Sequence, residues 1–515
     1  MEIQNNALYP ERLMRPDHHV LRRLLVSGQP ETLAKFEQTL NNDSQLLTLL
    51  KPANGASIAH LTAPPVLGWD GHIWKEVALT LPGSANPASL PLTDHFNQHR
   101  QESRFATRRY TLNTNQPILQ VAQSLYETLQ KHSDSSFNKL NVFVEQLARF
   151  SLNGGGGGAP GGSPDLREFA RAAATATAHD FQNQDCFRRI GANGSGVGQN
   201  RGTGVSVVIL DTAPTHHAHL DPDLVDYFID MAGPDDEYAP LPVLPLDPPQ
   251  PCLNLGDTKS EMPPPPGERN LQNVKLEHYH GLMTASLVKQ LAPQAKVVLI
   301  KVLNNQGEVS GSRLASALDY VGYLHQHGVL VGNTPLIANK LVINLSLGIQ
   351  RFVTEEVEAC YLLAACEELC KAGAVMVCAA GNDSYLGRPK NPEEPAAYGY
   401  FSDTPTTHAQ VIAVAATSHE ANSYAFFSNR GNLAAPGYEL LLDTGQNSAH
   451  HDTTRYIYWS GTSFATPQVS AACALLLNAG VAPGQVKQKL WETATMPARW
   501  DGVPEINVGK ARLSF

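Results

Sequence analysis

The second half of the chain alternates short apolar runs with longer amphipathic ones. Five runs rich in β-branched and small apolar residues are typical of strands buried on both faces: 205–210, 297–302, 341–345, 374–379 and 411–416. The segments between them have the apolar spacing of helices: 281–291, 312–326, 354–372 and 464–478. This βαβ alternation predicts an α/β fold with a mostly parallel sheet covered by helices on both faces. Active sites of such sheets lie at the carboxyl ends of the strands.

The first 150 residues follow a different pattern. Apolar positions three and four residues apart predict helices over 21–50, 118–129 and 137–150, and the segment 73–81 resembles a strand. We interpret residues 1–152 as a smaller α+β or mainly helical domain.

A glycine-rich tract at 153–164 follows this domain and is typical of a flexible linker. A phosphate-binding loop is the alternative, but the tract lacks the Lys-Ser/Thr that should follow. The second domain then spans 165–515 and opens with a helix predicted over 165–178.

A proline-rich insert at 234–267 interrupts the second domain. It holds eleven prolines between Pro234 and Pro266, and proline continues neither a central strand nor a helix. The insert therefore predicts a surface loop with polyproline character. A tolerated insertion is favoured over a ligand for a proline-recognising module.

Charge and composition narrow the classes of function. The formal net charge is -10, and residues 1–150 carry 14 Lys and Arg against 13 Asp and Glu, so the acidity lies in the remainder. Nucleic-acid-binding proteins normally present a basic face, which argues against such a partner. The chain shows neither a membrane-spanning apolar stretch nor a signal peptide at its N-terminus. We therefore expect a cytoplasmic protein without a membrane partner.

Seven cysteines are present, and Cys360, Cys366 and Cys370 share one predicted helix. A metal cluster is one interpretation, but the absence of a CxxC pair favours small buried apolar residues. Unpaired cysteines also fit a reducing compartment.

Four segments carry side chains suited to nucleophilic catalysis. Ser463 opens an apolar helix within G-T-S-F-A-T-P, Asp211 follows a buried strand, His280 precedes a glycine at a helix start, and Asn382 follows the strand at 374–379. A serine nucleophile needs a base, a carboxylate that holds the base in one tautomer, and donors for the oxyanion. Taken singly, Ser463 could be an N-cap, and the signal at Asp211 is weak.

Together the four segments resemble the subtilisin-like (subtilase) serine peptidases over roughly 202–490. The order Asp, His, Asn, Ser matches that family, and the serine segment is very close to the family motif G-T-S-x-A-x-P. The resemblance implies that Ser463 is the nucleophile, His280 the base and Asp211 its orienting carboxylate. It also implies that Asn382 and the Ser463 N–H bind the oxyanion.

The resemblance extends to the substrate-binding segment. V-I-N-L-S-L-G at 342–348 is similar to the family segment that pairs with the peptide main chain, which implies this role for Ser346, Leu347 and Gly348. Asp383 follows Asn382, and an acid in the pocket for the residue before the cut would favour Lys or Arg. A solvated loop acid is the alternative for Asp383.

Two departures from the family pattern bear on the site. Ala213 replaces a usual glycine, which alanine can do only where the backbone φ is ordinary. The helix after His280 runs directly into 292–295, where calcium-stabilised members carry an extra ligand loop. We therefore expect neither a metal nor another cofactor.

The sequence thus predicts a serine endopeptidase that acts on protein or peptide substrates. Its N-terminal region is expected to restrain it, either as a propeptide of an autoprocessing zymogen or as a sensor domain with a regulatory partner. The alternative is a catalytically silent subtilase-fold binding module, against which the complete set of four residues argues. An α/β-hydrolase is a further alternative, but it would need G-x-S-x-G at the serine and the order Ser, Asp, His, whereas Ser463 here follows the other residues.

Overall fold

The structure is a computed structural model. It describes residues 19–51, 64–82, 96, 106–114, 116, 118–149, 171–173, 175–192, 201–232, 276–304, 307–349, 361–384, 389–401, 409–419, 423–445, 455–496 and 504–513. The predicted linker at 153–164 and the proline-rich insert at 234–267 lie outside these residues.

Nineteen strands occur in the described residues. In chain order they are β1 (His19–Gly28), β2 (Val66–Trp69), β3 (Trp74–Glu76), β4 (Leu79–Thr80), β5 (Ala106–Thr111), β6 (Asn141–Arg149), β7 (Arg171–Ala172), β8 (Val205–Asp211), β9 (Tyr227–Asp230), β10 (Lys296–Lys301), β11 (Glu308–Ser310), β12 (Leu330–Val331), β13 (Thr334–Pro335), β14 (Lys340–Leu345), β15 (Ala374–Ala379), β16 (Val411–Thr417), β17 (Leu433–Pro436), β18 (Leu440–Asp443) and β19 (Tyr456–Trp459).

The α-helices of the same residues cover both the small N-terminal sheet and the large one. They are α1 (Pro30–Leu40), α2 (Ser44–Leu49), α3 (Ile118–Lys131), α4 (Ala178–Gln182), α5 (Asp185–Arg189), α6 (His280–Leu291), α7 (Gly311–Gln326), α8 (Tyr361–Lys371), α9 (Ala396–Phe401), α10 (Thr462–Asn478), α11 (Pro483–Thr493) and α12 (Val508–Leu513).

A nine-stranded sheet forms the centre of the molecule, in the order β17-β16-β15-β14-β8-β10-β9-β2-β3. The first seven of these strands are parallel to their neighbours. Strands β8, β15 and β16 are buried at every position, which is why they are apolar throughout. Helix α6 packs against α10, and α7 packs against α8. The predicted three-layer α/β fold is confirmed, with all five predicted strands.

A second sheet is antiparallel and belongs mainly to the N-terminal region. Its order is β11-β6-β1-β5, and helices α1 and α3 pack on it over a separate apolar core. The predicted helix at 118–129 is confirmed as α3. The helix predicted over 21–50 is present only in part, as α1 and α2, because its first residues belong to β1. The helix predicted over 137–150 is wrong, because 141–149 form β6. In β1 the consecutive residues Leu24, Leu25 and Val26 are all fully buried.

Part of the N-terminal region is built into the large sheet. Strand β2 pairs antiparallel with β9, and β3 folds back on β2. Strand β4 instead pairs with β12 in a separate three-stranded sheet. The Trp74 indole N–H donates to the Leu220 carbonyl over 3.4 Å. Phe96 is buried against Tyr320 and Tyr323, at ring-centroid distances of 5.0 and 5.1 Å. The strand expected over 73–81 is thus present as β3 and β4.

The segment after the linker is a strand rather than the start of a helix. Arg171–Ala172 forms β7, which pairs with β19, and helix α4 begins only at Ala178. The predicted helix over 165–178 is therefore wrong within the described residues.

Cys366 and Cys370 are buried thiols outside any disulfide, as the apolar interpretation predicts, and Cys360 lies outside the described residues. Within the described part of the chain, a single helix of membrane-spanning length and hydropathy is not found. Only taken together do helices α10 and α11 have the length and composition of a membrane span, and the chain bends by 116° between them.

Candidate active site

Asp211 and His280 form a buried hydrogen-bonded pair. Asp211 ends β8 and His280 begins α6. The His280 Nδ1 atom lies 2.8 Å from Asp211 Oδ1 and 3.0 Å from Oδ2. The Thr212 N–H also donates to Asp211 Oδ1, over 2.6 Å. A carboxylate at Nδ1 holds the ring proton there, so that Nε2 is the basic nitrogen of the neutral ring.

Gly281 allows the helix to approach this strand end. A Cβ atom at position 281 would overlap the Thr212 carbonyl oxygen and would lie 3.2 Å from Asp211 Cβ. Only a glycine lets α6 begin so close to the end of β8. The His-Gly sequence therefore has a physical reason: the histidine supplies the imidazole, and the glycine supplies the space.

Two aromatic side chains hold the His280 ring. The Phe464 ring lies 5.1 Å from it between centroids, and the Trp459 ring lies 6.3 Å away at an interplanar angle of 86°. Phe464 directly follows Ser463, so the start of α10 that carries the serine packs on the histidine. The two rings fix the orientation of the imidazole and shield it from water.

Ser463 is the second residue of α10 and lies beside Ser346. The Ser463 hydroxyl donates to the Ser346 carbonyl over 3.2 Å, and the Ser346 hydroxyl donates to the Ser463 carbonyl over 2.8 Å. The start of α10 is thus tied to the segment that follows β14. This brings the predicted nucleophile next to the predicted substrate-pairing residues.

Asn344 and Ser470 extend this polar contact, although the sequence analysis did not single them out. The Asn344 amide donates to Ser346 Oγ over 3.0 Å, and the Ser470 hydroxyl donates to Asn344 Oδ1 over 2.8 Å. Both side chains are fully buried. A polar residue inside an apolar strand and another inside an apolar helix were the available signal, because buried polar groups require partners.

Asn382 is oriented by the residue before the serine. Its Oδ1 accepts hydrogen bonds from the Thr462 N–H over 2.9 Å and from the Thr462 hydroxyl over 3.0 Å. The amide nitrogen therefore points away from Thr462. The position that a Cβ of Gly461 would take lies 3.6 Å from Asn382 Nδ2 and 3.7 Å from the Ser463 nitrogen. Two N–H donors thus flank one small space, which suits an oxyanion.

The segment 346–348 and the residues after Asn382 enclose a pair of acids. Asp383 is buried, at 7% exposure, and Glu393 is buried at 6%. Burial raises the pKa of the Glu393 carboxyl well above its ordinary value, and the charge and hydrogen bond of Asp383 raise this pKa further. Sequence reasoning missed Glu393, since it lies in a loop whose path depends on tertiary contacts.

The backbone at Ala213 is ordinary, as its side chain requires. Among the described non-glycine residues, a positive φ occurs only at Glu439. Ala213 is completely buried and replaces the family's glycine without strain.

Metal ligands do not converge in the described residues: no group of three His, Cys, Asp or Glu side chains there is placed to hold an ion. The expectation that no metal is required stays a prediction.

The chain is similar in sequence to members of one known protein family. Residues 202–509 match the family model described as the Subtilase family. The chain is 30% identical over 221 residues to the subtilase-type proteinase RRT12 of Saccharomyces cerevisiae, covering 41% of this chain and 38% of that protein.

Two further relatives give similar values. A thermophilic serine proteinase of Bacillus sp. (strain AK1) is 29% identical over 213 residues, which cover 41% of this chain and 43% of the relative. Subtilisin-like protease 4 of Trichophyton rubrum is 29% identical over 238 residues, covering 45% and 51%. The chain therefore spans about two fifths to one half of the length of these relatives.

Proposed function

Because the chain belongs to the subtilase family, we propose that it is a serine endopeptidase that forms an acyl-enzyme on Ser463. The observation that carries the proposal is the buried Asp211–His280 pair, whose imidazole packs on the helix start that holds Ser463. Serine peptidases depend on such a pair to activate a hydroxyl.

In the proposed reaction, His280 Nε2 takes the proton of the Ser463 hydroxyl as Oγ attacks the scissile carbonyl. The oxyanion accepts hydrogen bonds from the Asn382 amide and the Ser463 N–H. His280 then passes its proton to the leaving amine, and a water molecule releases the acyl group by the same route. Asp211 stabilises the imidazolium in both steps.

The peptide main chain is proposed to pair with residues 346–348 as an added strand. Support comes from the bond between the Ser463 hydroxyl and the Ser346 carbonyl, which puts this segment beside the nucleophile. Leu347 is buried at 1% exposure, so recognition there would use the main chain of the segment.

We also propose that the N-terminal region restrains the peptidase. The support is the pairing of β6 with β11, in which Arg149 faces Glu308 and Leu147 faces Ser310. Strand β11 follows a turn after Val302 and Leu303, whose N–H groups donate to the Asp211 carbonyl. A strand docked there occupies an edge next to the catalytic aspartate. Whether the region acts as a cleaved propeptide or as a sensor with its own partner is for the experiment to decide.

Protein or peptide substrates follow from the proposed reaction, whereas nucleic acid and membranes are not expected as partners. We propose a cytoplasmic location, with support from the thiol form of the described cysteines, which are not in disulfides. Fluorescence microscopy of the tagged chain would test it.

The catalytic proposal is tested with a fluorophosphonate probe and mass spectrometry. We expect the wild-type chain to be labelled on Ser463, and Ser463→Ala to abolish labelling and any self-cleavage. Ser316→Ala is the matched control, because Ser316 is also a buried helical serine, bonded to the Ser312 carbonyl in α7.

An unlabelled wild-type chain would favour the silent binding module, and a label retained in Ser463→Ala would identify another nucleophile. Sites of self-cleavage then separate the two forms of restraint. A cut within 153–164 supports a propeptide, and an intact, active chain supports a sensor domain.

A further inference from the structure

Glu393 is held between the ends of two neighbouring strands. Its N–H donates to the Ala380 carbonyl over 2.9 Å, just beyond β15. The next residue, Glu394, exchanges two backbone hydrogen bonds with Ile349, of 2.8 and 3.0 Å, just beyond β14. These bonds fix Glu393 between the substrate-pairing segment 346–348 and the segment that carries Asn382.

The Glu393 side chain fills the slot between these two segments. Glycines wall it on both sides: a Cβ at Gly348 would overlap Glu393 Oε2, and a Cβ at Gly381 would lie 2.7 Å from Glu393 Cδ. Larger residues at either position would leave no room for the carboxyl. The Glu393 carboxyl therefore occupies the space that the two glycines leave by having no side chain.

Asp383 makes the slot doubly acidic. Glu393 and Asp383 are both more than nine-tenths buried and share a hydrogen bond. Lys390 offsets their charge only in part, and its own position is exposed. A buried acid pair next to a binding segment is electrostatically complementary to a cation.

We infer that Glu393, together with Asp383, selects a lysine or arginine side chain before the scissile bond. The inference rests on the proposed peptidase function. A peptide paired with 346–348, with its carbonyl at Ser463, directs the preceding side chain to the mouth of the glycine-walled slot that Glu393 fills, because alternate side chains of an extended chain face opposite sides. There a cationic head meets the two carboxyls, and a guanidinium can bind both through parallel hydrogen bonds. A bulky aromatic ring would collide with Glu393.

The test compares kcat/KM for fluorogenic peptides that differ only in the residue before the cut: Arg, Lys, Ala, Leu, Phe or Glu. We expect Arg and Lys to exceed Leu and Phe by at least about tenfold. In Glu393→Gln and in Asp383→Asn, the Arg/Ala ratio of kcat/KM should fall by about 30-fold, as when one member of a buried charge pair is removed. Glu368→Gln is the matched control, since it removes a carboxyl from an exposed position on α8 and should keep the wild-type ratio.

Fluorophosphonate labelling of every variant tests the peptidase function separately from the specificity for Lys and Arg. Labelled wild-type enzyme that prefers Leu or Phe, or an Arg/Ala ratio unchanged in both Glu393→Gln and Asp383→Asn, overturns the specificity inference and leaves the peptidase proposal standing. A wild-type enzyme that neither labels nor cleaves any peptide overturns both. The wild-type profile alone decides the inference if the variants fail to fold.

Discussion

Glu393 is more than nine-tenths buried, and burial beside Asp383 raises the pKa of its carboxyl well above that of a solvated glutamate. The folded chain therefore binds the Glu393 proton more tightly than the unfolded chain does. By linkage, this group's contribution to stability is fully present below the unfolded pKa and is lost as pH rises through the folded pKa. The positive charge of Lys390 lowers the pKa of Glu393, and so narrows the pH range over which this stability is lost.

Replacing Glu393 by Gln removes this dependence, because an amide does not ionise. In a Ser463→Ala background, we expect Glu393→Gln to gain stability relative to its parent as pH rises from 5 to 8, by up to about 1.4 kcal/mol per pH unit. Urea unfolding at several pH values measures the gain. Glu368→Gln is the control at an exposed position. Stability curves for Glu393→Gln and its parent that stay parallel over this range would contradict the expectation.

At this scale the four residues that we propose for catalysis could be singled out from the sequence, because each stands in a short motif tied to a strand end or a helix start. Glu393 could not be singled out in this way. That side chain reaches the slot only because Ala380 bonds the backbone of Glu393 and Ile349 bonds that of the next residue, Glu394. Such a contact depends on the packed sheet and leaves no local pattern in the sequence.

At the scale of elements, the site depends on how closely helix α6 approaches strand β8. Gly281 sets this distance through its contact with the Thr212 carbonyl. Gly281→Ala should push the helix start away from Asp211 and cost about 1–3 kcal/mol of stability. It should also lower kcat/KM by about 100-fold, since catalysis is sensitive to displacements of about 1 Å. Peptide hydrolysis and urea unfolding measure the two effects.

Gly322→Ala is the matched control for this prediction. Gly322 also lies in a helix, α7, but a Cβ there would make an ordinary contact of 3.5 Å with Leu369. We expect its stability to rise by about 0.5–1 kcal/mol with unchanged activity, as helix propensity favours alanine. Equal losses in both variants would mean that the close approach at Gly281 is unimportant.

The five central strands of the large sheet, β16, β15, β14, β8 and β10, were predictable for a physical reason, whereas β9 and β17 were not predicted. Strands buried on both faces must be apolar throughout, and helices that cover them alternate in a regular order. The N-terminal strands β1 and β6 were mistaken for helices. In β1, Leu24, Leu25 and Val26 are all buried, and a short continuous apolar run cannot be told from part of a buried helix by its period.

At the scale of the whole molecule, strands of the N-terminal region pair with strands of the second domain in three different sheets. Strand β6 pairs with β11, β2 with β9, and β4 with β12. Beyond the linker, β7 is anchored on β19. Both flanks of the linker are therefore held by backbone pairing, so a cut there need not separate the two parts.

This arrangement predicts a stable two-piece complex. With a site for an added sequence-specific protease inside 153–164, in a Ser463→Ala background, we expect the pieces to co-elute at about micromolar concentration after cutting, as pieces joined by strand addition do. Size-exclusion chromatography and native mass spectrometry measure this. A version in which a Gly/Ser linker replaces 64–82 keeps β6–β11 but loses the other pairs, and should release more of the N-terminal piece. Complete separation of the unmodified pieces would contradict the prediction.

The β2–β3 hairpin has a consequence for solubility. Without it, β9 would be the outermost strand of a long apolar sheet, and its unpaired N–H and C=O groups would recruit strands of other molecules. With the hairpin in place, the outermost strand is β3, which is three residues long and exposes the charged side chains of Lys75 and Glu76. Short, charged strands resist intermolecular pairing. The region proposed to restrain the peptidase therefore also protects the chain from aggregation.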